Sequence, residues 1–365
     1  MDPAILSAGA FGLASLGILY YISRNVSPVT SFLYANARIQ ARSNYIIQEK
    51  NLDNLASAKT LGSLINLLRE TDYIDELEKL QNKEDVKAFH KAVEKSFLES
   101  LMELKKMSPD KAKGILDAYL GFYEARVLKT IFRARQGNED VDEEIVFPVG
   151  IITPNLLRHL LDTKTVADMG VVMSATKYGY IFLEKYTDAE HFDVAIEDFV
   201  LKNLISKVKK AKMHDSKAVL DLIMTKVDIL NLLALLKFKV RGIELEKQKR
   251  LLVMTETELG QRRNELINAE SIKKMVELCK NLKYYGVLEK SLADYEKDNS
   301  LLHFEQNLMK YYRDYAAGNE IAHSLGPYPL FSYIIKKEIE MRNLFVISSG
   351  IANGFNPERI KRLAI

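Results

Sequence analysis

Three times along this chain, a hydroxyl residue is followed by apolar positions at one fixed spacing. Thr60 precedes Leu61, Leu64, Leu67 and Leu68; Thr165 precedes Val166, Met169, Val172 and Met173; Ser271 precedes Ile272, Met275, Leu278 and Cys279. Such spacing predicts a short helix with one buried stripe. The hydroxyl predicts its N-cap, because a side-chain oxygen can accept from the unpaired amides of the first turn. Asp168, three residues after Thr165, suggests a capping box. Each copy opens on leucine (Leu55, Leu160, Leu266) and closes on tyrosine (Tyr73, Tyr178, Tyr284), so 55–73, 160–178 and 266–284 align without a gap at spacings of 105 and 106.

The similarity extends beyond these stretches. Leu77-Glu78-Lys79, Leu183-Glu184-Lys185 and Leu288-Glu289-Lys290 keep the register, and AVEKSFL (92–98) matches AIEDFVL (195–201) and, more loosely, FEQNLM (304–309). A further helix recurs as YEARVLKTIF (123–132), TKVDILNLLA (225–234) and KKEIEMRNLF (336–345), with an abbreviated ANARIQAR at 35–42. Apart from Val146 to Ile152, strand alternation finds little, and the expected class is all-α. The order of units looks circular: repeat 1 at 34–108, repeat 2 at 109–213, repeat 3 at 214–325, and C-terminal helices at 326–365 that complete repeat 1. Pro109, after Ser108, is expected at the first position of a long helix.

Residues 3–23, PAILSAGAFGLASLGILYYIS, break the pattern with 21 uncharged positions. As a helix they would rise about 30 Å, the thickness of a bilayer core. A membrane helix is one reading; a helix buried in protein is another, given Gly9, Gly12 and Gly17. A signal peptide is a third, although only Met1 and Asp2 precede the stretch, with no basic n-region. On the membrane-helix reading, Arg24, Arg38 and Arg42 follow on the far side, and the positive-inside rule then leaves the body cytoplasmic. Residues 24–33 read as a linker to that body.

Charge and chemistry narrow the function by exclusion. A net charge of +3 gives no case for a nucleic-acid partner. The single cysteine, Cys279, lies on an apolar stripe and excludes a disulfide framework, which fits a reducing compartment. The sequence has no phosphate-binding loop, no dinucleotide fingerprint, no HExxH, no nucleophile elbow and no CxxC. His90 with Glu94, and Asp188 with His191, share helical spacing but lack the further ligands a metal needs. No catalytic, cofactor-binding or metal residues are therefore expected. The acidic run Glu139 to Glu144 reads as a solvated loop. KVKKAK (207–212) reads as a basic helix end or as a docking patch for an acidic partner.

The last recurring helix is the richest in charge. Glu338 and Arg342 stand at i, i+4 in the favourable order. At equivalent places the aligned helices carry Arg126, Asp228 and Glu340, mixed signs that suit neighbours touching around a ring. Arg126, Asp228, Glu340 and Arg342 are the candidate residues of a seam between repeats.

ANARIQARSNYII near the start and YPLFSYIIKKEIEMRNLFVISSGIANGFNPERIKRLAI at the end resemble the C subunit of archaeal A-type ATP synthases and bacterial V-type ATPases, the family of the vacuolar ATPase d subunit. The resemblance covers about residues 30–365. It implies a non-catalytic rotor subunit: three similar helical domains forming a funnel with pseudo-threefold symmetry. The mouth would receive the central-shaft subunits D and F, and the base would rest on the membrane proteolipid ring. The whole would belong to a complex with catalytic A and B subunits, peripheral on the cytoplasmic face of the cell membrane. Many relatives lack an apolar leader, so residues 3–23 could span lipid or plug the ring. A membrane-tethered helical scaffold for an unrelated complex would share the repeats and the lack of chemistry.

Overall fold

A computed structural model describes residues 31–365 except Glu144, Lys185, Thr187, Met254 and Thr255. The apolar stretch 3–23 and most of the expected linker lie outside the described residues. Among the described residues the structure is all-helical; the closest approach to a sheet is an isolated bridge between Val149 and Ile152. No helix among them is long and apolar enough to cross a membrane.

The described helices begin with α1 (Leu33–Ser43), α2 (Glu49–Ala56), α3 (Leu61–Leu67) and α4 (Ile74–Leu77), followed by the long α5 (Val86–Met107) and α6 (Asp110–Gly137). Next come α7 (Pro154–Asp162), α8 (Val166–Met173), α9 (Ala189–Ala211) and α10 (Ser216–Arg241). The short α11 (Leu245–Arg250), α12 (Glu258–Gln261), α13 (Arg263–Asn268) and α14 (Ile272–Leu278) lead to α15 (Tyr285–Asp298) and α16 (Leu302–Gly318). Last come α17 (Tyr328–Ala352) and α18 (Pro357–Leu363).

Local chemistry sets these boundaries. Thr60, Thr165 and Ser271 cap α3, α8 and α14, each accepting from the amide three residues on. Thr60 with Ser63, and Thr165 with Asp168, form reciprocal capping boxes. On the stripes, the i, i+3 and i+7 positions are buried, apart from a half-buried Val166, whereas Leu67 is exposed and Val172 and Leu278 are half-buried. The i+6 position falls about 90° from the middle of a stripe on a 3.6-residue turn, which is why it drops out. Asp188 caps α9 by accepting from the His191 amide at 2.7 Å, which gives that pair a structural task. Pro109 occupies the cap of α6 instead of its first position, because its ψ of 153° is extended and helical geometry starts at Asp110. The basic run at 207–212 does close a helix: α9 ends at Ala211, with Lys209 and Lys210 in its last turn.

Helices distant in sequence are partners in space. α9 packs along α6, α16 packs against α10, and α17 packs along α5. Successive long helices also touch, α5 with α6, α9 with α10 and α16 with α17, while α10 reaches α17 directly. One apolar cluster runs through all of them. α17 is buried on nearly all sides, from Tyr328 to Gly350.

Candidate functional site: buried carboxylates on the long helices

The closing tyrosines of the sequence motif are essentially inaccessible: Tyr73 and Tyr178 are 0% exposed and Tyr284 is 2% exposed. A buried phenol needs an acceptor, and each of these lies beside a carboxylate on a long helix. Tyr73 donates to Glu340 Oε2 at 3.0 Å, and Tyr178 donates to Glu124 Oε2 at 2.6 Å. The other oxygen of each carboxylate holds a backbone amide from a loop, Ile47 on Glu340 at 2.8 Å and Ile151 on Glu124 at 2.9 Å. A lysine completes each group: Lys337 lies 2.7 Å from Glu340 and Lys177 lies 2.6 Å from Glu124. Lys337 is itself buried and sits over the Tyr73 ring at 4.2 Å. Burial first, and the neighbouring carboxylate second, push the Tyr73 and Tyr178 phenols far above their ordinary range, so both remain donors.

The third position is a variation on this arrangement. Asp228 is buried on α10 and accepts from the Thr257 hydroxyl at 2.6 Å, so a loop is again pinned to a helix. The Tyr284 hydroxyl has no hydrogen-bond partner among the described residues. Burial, then Asp228, raises its pKa too.

A second polar cluster joins three long helices. Glu338 on α17 accepts from Tyr123 on α6 at 3.0 Å and pairs with Lys226 on α10 at 2.6 Å. Lys226 also reaches the Tyr119 hydroxyl at 3.3 Å and lies over the Tyr119 and Phe122 rings. A cavity of about 190 Å³ adjoins this junction. Among the described residues no group of three or more His, Cys, Asp or Glu is arranged to hold a metal ion.

The four candidate seam residues fall into two kinds of place. Arg126 on α6 pairs with Glu94 of α5, and Arg342 on α17 pairs with Glu305 of α16 at 2.6 Å, so both bridge successive long helices. Asp228 and Glu340 instead pin loops and face the motif tyrosines. The residue standing where Asp228 and Glu340 stand is Glu124, two positions before Arg126. Glu338 and Arg342 do not pair with each other, because each finds a partner on another helix that is better placed than the i, i+4 neighbour. Glu124, Lys226, Tyr123 and Lys337 carry no local mark in the sequence. The signal that could have found them is the closing tyrosine itself, a hydroxyl at the end of a buried stripe that requires an acceptor.

The fold and these junctions define an all-helical protein in which long-range polar pairs tie loops and helices together. A model of the ATP synthase (C/AC39) subunit family matches residues 35–363, and the chain belongs to that family. Among curated relatives, the A-type ATP synthase C subunit of Methanocaldococcus jannaschii is 25% identical over 358 residues, 95% of this chain and 90% of the relative. The protein of the same name from Desulfurococcus sp. is 25% identical over 94% of this chain and 93% of its own length. That from Pyrococcus furiosus is 24% identical over 92% and 90%.

Proposed function

We propose that this chain is a non-catalytic rotor subunit of an A-type ATP synthase. It would be a socket that grips the central-shaft subunits D and F and rests on the membrane proteolipid ring. Rotation would then link ATP synthesis or hydrolysis, at the catalytic A and B subunits, to ion translocation. One observation carries the reading: the long helices pair as α5 with α17, α6 with α9 and α10 with α16, and successive pairs touch so that the last helix returns to the first. This circuit supports three units around an axis, at 34–108 with 326–365, at 109–213 and at 214–325, arranged as a funnel with pseudo-threefold symmetry. The recurring carboxylates Glu124, Asp228 and Glu340 support the same division, and Arg126 and Arg342 then belong to the seams between units. The names of the relatives support the assignment to an A-type complex. Packed helical interiors deform little, which suits the transfer of torque. Placement is on the cytoplasmic face of the cell membrane, with residues 3–23 as a membrane helix or a plug of the ring.

The test is purification of the tagged chain from detergent-solubilised membranes, beside a form lacking residues 2–23, with mass spectrometry of what accompanies it. Recovery of A, B, D, F and the proteolipid with both forms is the expected result. Isolation of the full chain alone would favour a membrane-tethered scaffold for an unrelated complex.

A further inference from the structure

Glu340, Glu124 and Asp228 occupy matching places, yet their surroundings differ. Beside Glu340 the space between α16 and α17 is about 290 Å³. Beside Asp228, between α9 and α10, it widens to about 960 Å³. Aspartate is one methylene shorter than glutamate, and Tyr284 at the edge of this cleft is left with a buried hydroxyl that nothing among the described residues accepts. A buried hydroxyl with no acceptor among the described residues forgoes the hydrogen bond it would make to water.

The walls of the cleft are chemically distinct. Lys209 and Lys210 on α9 line one side, are exposed, and carry no ion pair among the described residues; Lys202 stands two turns earlier on the same face. Glu256 and Glu258 flank Thr257, which is bonded to Asp228 of α10, and line the cleft from that segment, also exposed and without an ion pair among the described residues. Ile205, Leu220, Met224 and Leu282 supply apolar surface between them. From Lys202 to Lys210 the helix rises about 12 Å, which matches two turns of a second helix laid alongside it.

We propose that this cleft docks an amphipathic helix from a partner subunit. Its apolar ridge covers the floor, its carboxylates meet Lys209 and Lys210, and its cation faces Glu256 and Glu258. This is helix-in-groove recognition, with apolar anchors at i, i+3 or i+4, and i+7. Opposite charges on the two walls fix which way the helix runs, since the reversed or rotated helix brings like charges together. The basic run at the end of α9 thereby acquires a role beyond closing its helix. The inference rests on the reading that the chain works inside an ATP synthase complex, and it goes further by naming a surface and the chemistry of what covers it.

The chain has one native thiol, Cys279, which is buried, so a cysteine introduced at Ser206 in the cleft becomes a single addressable site. Maleimide labelling of S206C is compared between the isolated chain and the intact detergent-solubilised complex, after melting curves establish that the variant is folded. The expected result is labelling slowed at least about tenfold in the complex through loss of access, and restored when Lys209→Glu and Lys210→Glu are added. A photoreactive group on the same thiol is expected to cross-link another subunit of the complex. Equal labelling in both states overturns the proposal. Protection indifferent to the charge reversal, or a cross-link to lipid or to a second copy of this chain, also overturns it. Failure of the complex to co-purify at all would instead defeat the rotor assignment, so the two readings fail separately.

Discussion

At the level of single residues, the tyrosine–carboxylate contacts make opposite predictions for what look like equivalent substitutions. Tyr178→Phe removes a hydrogen bond to a buried carboxylate and is expected to lower unfolding free energy by about 1.5–3 kcal/mol. Tyr284→Phe deletes a hydroxyl that has no partner among the described residues and is expected to be neutral or stabilising in the isolated chain. Urea unfolding of the two variants separates them. Lys337 is a further residue of this kind: Lys337→Met strands Glu340 without its cation and is expected to cost about 3–5 kcal/mol, by the same measurement. His90 brings a pH dependence. Its ring lies 4.3 Å from Phe345 with Nε2 2.9 Å from the Ser348 hydroxyl, and burial depresses its pKa. Because the folded chain disfavours the charged ring, the unfolded chain binds the proton more readily. Stability from this group is therefore full above the unfolded value of about 6.5 and falls as pH drops from there toward the lower folded pKa. His90→Gln should flatten that part of a stability-against-pH curve measured by thermal melting.

Helices and their loops show why some of the design was legible and some was not. The caps at Thr60, Thr165 and Ser271 could be read because they depend on neighbours three residues away. The buried tyrosine ends were equally plain as repeats, but their acceptors lie far off in sequence, 267 residues apart for Tyr73 and Glu340. Register along α6, α10 and α17 was harder still. These helices are buried on most sides, so no narrow apolar stripe pins the phase, and an alignment can slip two residues, from Glu124 to Arg126. Glu338 and Arg342 illustrate the same limit, since a local i, i+4 rule cannot weigh partners on other helices. One loop position tests the pinning directly. Gly150 has φ of +57°, and a methyl there would overlap the Glu124 carboxylate that holds the Ile151 amide. Gly150→Ala should cost about 2–4 kcal/mol, from the left-handed backbone and the displaced carboxylate together. Denaturation midpoints, with Gly137→Ala as a comparison where a methyl meets only ordinary contacts, would measure it.

For the whole molecule, Glu338 is the point where α6, α10 and α17 exchange polar contacts, so damage there should not stay local. Glu338→Ala is expected to speed amide hydrogen exchange in all three helices together, whereas Arg126→Ala should affect chiefly α5 and α6. Acceleration confined to α17 would contradict the junction. The circuit of helix pairs was visible in sequence only as a circular order of motifs, because nothing in local pattern states which distant helix lies against which. The pairing of α5 with α17 has a further consequence, for synthesis. Residues 108–327 must be translated between these helices, so a ribosome adding about 5–20 residues per second leaves the nascent α5 waiting roughly 10–45 s for its partner. Throughout that interval the face of α5 that carries His90, which meets Phe345 and Ser348 of α17 in the finished protein, faces solvent or whatever shields a growing chain. A chain interrupted before α17 emerges would carry the same open face into the cell.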